Sequence, residues 1–167
     1  YYVDVFRSRK EKGGDKMHDY FYHNLGQTLT LTTADGSDLN LQPTEELAFA
    51  GAHLYAYSYL YDKKVAATNK DVKATFTIDI KDKDGDDIYM NLWMKGEPDR
   101  EVFTALAPMT EGLSRTPNMP YNIKEQPTLT FVARQHGEAW NRPFVSIYEP
   151  STKKEPSAIQ SVSYFDA

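Results

Sequence analysis

The chain has 167 residues, a formal net charge of -5 and a sequence pI near 5.4. That length holds one domain with a core of its own, and the acidic balance excludes the basic footprint of a nucleic-acid partner. Cysteine is absent, which excludes disulfides, thiolate-ligated zinc and thiol catalysis.

No apolar run reaches the roughly 18 residues that a membrane-spanning helix needs, so no membrane span is expected. The first residues also lack the basic-then-apolar order of a signal peptide. The first methionine is Met17 and the chain opens inside a strand pattern, which sets the expectation of a C-terminal fragment of a larger protein. Aromatic residues are dominated by 12 Tyr, with 8 Phe and 2 Trp, a bias that suits strands and sugar-stacking surfaces alike.

In residues 1–9, Val3, Val5 and Arg7 alternate with Asp4, Phe6 and Ser8, the period of a β-strand. The charged segment 10–16, with Gly13 and Gly14, predicts a turn, and 17–24 the second strand of a hairpin. His18 and His23 are five apart, so an extended chain sends them to opposite faces. Asp19, Phe21 and His23 share a face, yet Asp19 and His23 lie roughly 13 Å apart along a strand, too far for one ion. No metal site is expected.

Leu29 and Leu31 alternate with threonines in 28–33, and Ala34-Asp35-Gly36-Ser37 signals a hairpin turn into Leu39 and Leu41. Residues 43–51 suggest a short helical turn capped by Thr44, with Glu45 and Glu46 in its first turn. Residues 53–61 read as a strand with Tyr55, Tyr57, Tyr59 and Tyr61 on one face. That stripe suits either a sugar platform or the inner face of a sandwich.

A polar linker, 62–71, leads to the strand 72–80, and the Asp-Gly pair in 81–87 predicts a hairpin into 88–94. Asp82, Asp84, Asp86 and Asp87 raise a calcium reading, but the EF-hand template would place Ile80 and Asn91 at ligand positions. Residues 88–94 are apolar on both faces, as in a central strand. A turn at 96–100 and a strand at 101–106 precede a long loop, 108–126, containing Pro108, Pro117 and Pro120. Two further strands in 128–150 flank a loop that gathers His136, Glu138, Trp140, Asn141 and Arg142, and 159–165 predicts a last strand. The sum is a single all-β domain, an antiparallel β-sandwich of about ten strands with no long helix.

Neither a G-x-S-x-G elbow nor a phosphate-binding glycine loop occurs. His18, His23, His53 and His136 have no patterned catalytic partner, so no catalytic residue and no cofactor is assigned. Sugar binding is the more economical chemistry. Trp140 offers a stacking plane, with Asn141, Arg142 and His136 as polar forks beside it. Arg142 suits a uronate or sulfate; the structural alternative has Trp140 plugging the sandwich end and Arg142 answering Glu138.

Three stretches carry a family resemblance. The opening VDVFR, glycine turn and HDYFYH, then Ala107-Pro108 before the long loop, and finally VARQHGEAWNRPFVSIYEP resemble the C-terminal β-sandwich region of the heparinase II/III-like polysaccharide lyases. In that family the last stretch forms a closing hairpin. The resemblance implies an upstream α-helical toroid in the same chain and substrate in the cleft between the two. It also implies β-elimination on uronic-acid-containing polysaccharide, with a Tyr and His pair supplied by the helical domain. The family's metal ligands precede the opening motif, so neither set maps onto this sequence. On this reading the chain is a structural and substrate-cleft region, inactive alone, of a periplasmic or secreted enzyme. Its candidate substrate contacts are His18, Tyr20, His23, His136, Trp140, Asn141 and Arg142. A stand-alone carbohydrate-binding module, or a structural or interaction domain, is the alternative.

Overall fold

Alternation of apolar and polar residues builds two five-stranded antiparallel sheets in the computed structural model, which describes residues 1–14, 16–48, 52–80, 85–117 and 124–165, the side chains of 52–55 and 113–114 apart. The first sheet runs in the order β1 (Tyr2–Ser8), β10 (Ala139–Thr152), β7 (Ile88–Met94), β6 (Val72–Ile78) and β3 (Thr28–Thr33). The second runs β2 (Met17–Asn24), β9 (Thr128–His136), β8 (Arg100–Ala107), β5 (Tyr61–Ala67) and β4 (Gln42–Pro43). The all-β sandwich is therefore as expected, and the described residues contain no long helix. A 3-10 helix, Ala52–Tyr59, and one turn of α-helix, α1 (Glu111–Ser114), are helical segments among them.

The main core lies between the sheets. Leu31, Ala74, Phe76, Leu92, Met94, Phe144 and Tyr148 from the first sheet meet Tyr20, Val102, Leu129, Phe131 and Ala133 from the second. As its doubly apolar pattern foretold, β7 is the central strand of its sheet, with Asn91, Leu92, Trp93 and Met94 all buried. A second apolar cluster covers the far side of the second sheet. There Phe103, Ala105 and Val132 lie under Leu47 and Leu60, with Phe21 and Tyr57 packed alongside. Strands β8 and β9 are consequently buried on both faces.

Several expectations about pairing are corrected. β1 and β2 form no hairpin: β1 pairs with β10 and β2 with β9, so the chain changes sheet between Ser8 and Met17. The two strands instead lie at the same side of the sandwich, where Ser8 Oγ and His18 Nδ1 are 2.8 Å apart. Likewise 128–150 is no hairpin, because β9 and β10 belong to different sheets. The turn at 34–37 does form, closed by the Thr33 and Gly36 amides, but Leu39 and Leu41 continue as core-packing coil after a single Thr32–Asp38 bridge.

Local sequence patterns misled at four places. Residues 53–59 lie in the 3-10 helix and Tyr61 opens β5, which dissolves the tyrosine stripe; the Tyr55 side chain lies outside the described residues. The supposed linker contains β5, paired with β8. Residues 159–165 form no ladder, and neither does a helix occupy 43–48, although Thr44 Oγ1 still accepts the Glu46 amide at 3.0 Å. The β6–β7 hairpin is present. Of its acidic tip, Asp82 and Asp84 lie outside the described residues, while Asp86 accepts the Lys154 amide at 3.2 Å and Asp87 pairs with Lys153.

The packing of the β7–β8 turn on the β5–β6 turn depends on Gly96, where an added Cβ would sit 2.3 Å from Asn69 O and 2.4 Å from Lys70 C. These are backbone atoms that cannot swing aside. Gly96→Ala should therefore destabilise the fold by about 1–3 kcal/mol in chemical denaturation. Gly112→Ala, with open space at its Cβ, should leave the midpoint within about 0.5 kcal/mol.

Candidate functional site at the bulged corner

The expected loop cluster is built by a bulge. β1 and β10 keep register from Tyr2↔Tyr148 to Phe6↔Phe144, and the next partner pair is Ser8↔Ala139. Residues 140–143 thus bulge out opposite Arg7, a device that re-aims side chains at the end of a sheet. Glu138 braces the turn by accepting the amides of Trp140 at 2.8 Å and Asn141 at 2.9 Å, and those bonds hold its carboxyl below the usual range despite some burial. Arg7 donates to Trp140 O from the other side.

The corner brings together four of the predicted residues. Trp140 is 46% exposed and plugs nothing; the Arg9 guanidinium lies 5.3 Å from its ring centroid, a cation–π distance. Arg142 answers Glu138 at 3.5 Å, and donates to Pro98 O and His136 O, both at 3.1 Å. It is a clamp on the corner. His136 Nε2 meets Glu101 Oε2 at 2.7 Å on the outer face of the second sheet. Asn141 is exposed beside them.

His18 sits at the same end of the sandwich, tied to Ser8. Tyr20 lies deeper, between the sheets. Its hydroxyl donates to Asp4 Oδ2 at 2.7 Å, accepts from Ser146 at 3.2 Å and touches the Tyr148 hydroxyl. Burial pushes the phenol far above its ordinary value, so Tyr20 stays protonated.

His23 stands apart, at the other end of β2. Its ring stacks on Phe21 at 5.9 Å and its Nδ1 is 2.8 Å from Thr130 Oγ1. Together with Tyr57, Ala56 and Leu60 these rings line a small pocket of about 180 Å3.

Beside that pocket is a group that the spacing of the sequence did not reveal. Arg134 makes a two-pronged pair with Asp19, Nε–Oδ1 at 2.8 Å and Nη2–Oδ2 at 2.9 Å, and reaches Glu46 at 3.3 Å. Tyr57 Oη donates to the same Asp19 carboxylate; burial, then that carboxylate, push its phenol up. Asp19 and Arg134 side chains are only 8% and 9% exposed. A raised, already committed phenol is a poor general base. The triad pins the 3-10 helix onto the second sheet. Among the described residues no group of three His, Asp or Glu side chains converges as a metal site, and no helix is long and apolar enough to cross a membrane.

The sequence of this sandwich is similar to part of a polysaccharide lyase. That relative is the endo-acting ulvan lyase of Formosa agariphila, 35% identical over 167 residues, a match that takes in 98% of this chain and 19% of the relative. The chain thus spans about a fifth of the relative's length. No family model and no solved structure matches it.

Two outcomes test this account of the second sheet. Asp19→Ala strands a buried guanidinium and should cost about 3–5 kcal/mol, against about 1 kcal/mol for Tyr57→Phe; denaturant titration separates them, and equal small losses would contradict the pinning role. The second concerns His23, whose pKa burial lowers from 6.5. The unfolded chain then binds the extra proton, so His23's contribution is full above 6.5 and lost as pH falls below it. His23→Gln should flatten the fall in thermal midpoint between pH 6.5 and about pH 5.

Proposed function

We propose that this chain is the β-sandwich region of an exported polysaccharide lyase of the heparinase II/III-like type, and that its bulged corner contacts an acidic, uronic-acid-containing glycan. The observation that supports it is the alignment of nearly the whole chain with one stretch of an ulvan lyase. In β-elimination the proton at C5 leaves, the neighbouring carboxylate is neutralised, and the oxygen leaving C4 takes up a proton. An acid and a base must reach those atoms together.

Among the described residues of the sandwich we assign no such pair. His136 is bonded to Glu101, His18 to Ser8, and Tyr57 and Tyr20 are protonated donors already engaged with carboxylates. What it offers is placement: an exposed indole and a set of cations on a braced bulge, able to hold a polymer in register with groups on an adjoining helical domain. A stand-alone binding module is the second reading, favoured by the exposure of Trp140 beside Arg9.

The test is retardation of the purified chain in gels containing ulvan, alongside ultraviolet detection of unsaturated uronate product. Retardation without product is the expected result, and Trp140→Ala should weaken it about fivefold to a hundredfold. Product release by this chain alone would overturn the non-catalytic assignment; absence of retardation would overturn the substrate-contact role.

A further inference from the structure

The C-terminal tail turns back along the outer face of β10. Glu149, on that face, accepts the amides of Ala158 at 2.8 Å and Ile159 at 3.1 Å and the Ser157 hydroxyl. Burial works to raise its carboxyl, but these donors outweigh it and hold it below the usual range. So clamped, the tail reaches the bulged corner, where residues 163–165 form one wall of a groove of about 570 Å3. Val5, Val145, Arg7, Lys95 and Asn141 line it as well. Phe165 is 90% exposed on the tail side.

One cation at the groove, Arg7, makes no ion pair among the described residues. Arg7 is exposed and spends one donor on Trp140 O, out of the five a guanidinium carries. Lys95 shares Glu97 at 2.9 Å, and Arg9 stands on the far side of Trp140. The nearest carboxylate of the bulge, Glu138, is turned into its own backbone. A chain of net charge -5 therefore presents an exposed guanidinium without an ion pair beside an aromatic-rimmed groove at this corner.

We propose that this groove is a subsite for one anionic sugar residue, its carboxylate or sulfate held by Arg7 and its ring laid against the Phe165 wall. The assignment rests on the polysaccharide reading above and refines it: the anion contact belongs to β1 and the tail, not to Arg142.

Binding of the intact chain to three polymers tests it: polygalacturonate, dextran sulfate and uncharged dextran, by affinity electrophoresis at two salt concentrations. Retention by either charged polymer, weakened by salt, and none by dextran is expected. A preference for polygalacturonate assigns the anion as carboxylate, and one for dextran sulfate as sulfate. Arg7→Ala should lower affinity about tenfold to a hundredfold. Phe165→Ala should also lower it, whereas Lys64→Ala on distant β5 should not. Each variant is checked for an unchanged thermal midpoint, and Arg7→Gln serves where Arg7→Ala unfolds. Undiminished binding by the Arg7 variants would overturn the subsite and leave the lyase reading standing. Equal retention by dextran would overturn the anion assignment, and no retention of the unaltered chain in any gel, ulvan included, would overturn both.

Discussion

The structure depends on β9 being buried on both of its faces. Seven of its nine positions, Leu129 to Gln135, are buried, which a strand of a two-layer sandwich does not require on its outward side. The outward residues Val132 and Arg134 are covered because Leu47, Leu60 and the 3-10 helix lie across them. A guanidinium in that position must be paired and fully bonded or it is very costly. Asp19 on β2, Glu46 on the covering segment and the Phe103 ring 5.4 Å away supply what it needs. One arginine thereby ties together the edge strand, the central strand and the helix.

This third layer also sets which surfaces are left for a ligand. The outer face of the second sheet is largely spent on internal packing, and the outer face of the first is crossed by the Glu149-clamped tail. One region that remains open lies at the end of the sandwich where β1 stops, β2 starts and β10 bulges. A bulge there carries little risk to the core, because Phe144 re-enters the sheet fully buried. Its backbone is satisfied locally by Glu138 and Arg7 rather than by a ladder partner.

Fold class was readable in the sequence because the period of two is a local property, and the strands β1, β2, β3, β6, β7, β8 and β9 fall where alternation puts them. Sheet membership was not, since the charged glycine-containing segment 10–16 serves a hairpin and an inter-sheet crossing equally well. Tyrosines two apart read as a strand in 53–61, but a 3-10 helix repeats every three residues, leaving Tyr57 against Phe21 and Tyr59 half exposed. Lys63 and Lys64 hid β5, and Ile159 and Tyr164 imitated a strand whose backbone partners are in fact a side chain. Of the candidate contacts, His136, Trp140, Asn141 and Arg142 were visible because they are neighbours in the chain. Arg7 was not, lying 133 positions from the carbonyl it holds. The Arg134–Asp19–Tyr57 triad escaped for the same reason, its members being 115 and 38 positions apart.

The two arginines of the corner show why residue type alone is a poor guide to a ligand contact. Arg142 has the better sequence context, next to Trp140 and Asn141, yet two carbonyls and two carboxylates already surround it. An incoming anion would have to displace bonds that hold the β9–β10 corner to the β7–β8 turn, and the gain at the ligand would be offset by loss in the fold. Arg7 has an unremarkable context within an alternating strand. Its single carbonyl contact fixes the guanidinium in place without neutralising it, which lowers the entropic cost of binding while leaving the charge available. A cation held but not paired is the arrangement that recognises a carboxylate or sulfate, and here the bulge in β10, rather than any motif, creates it.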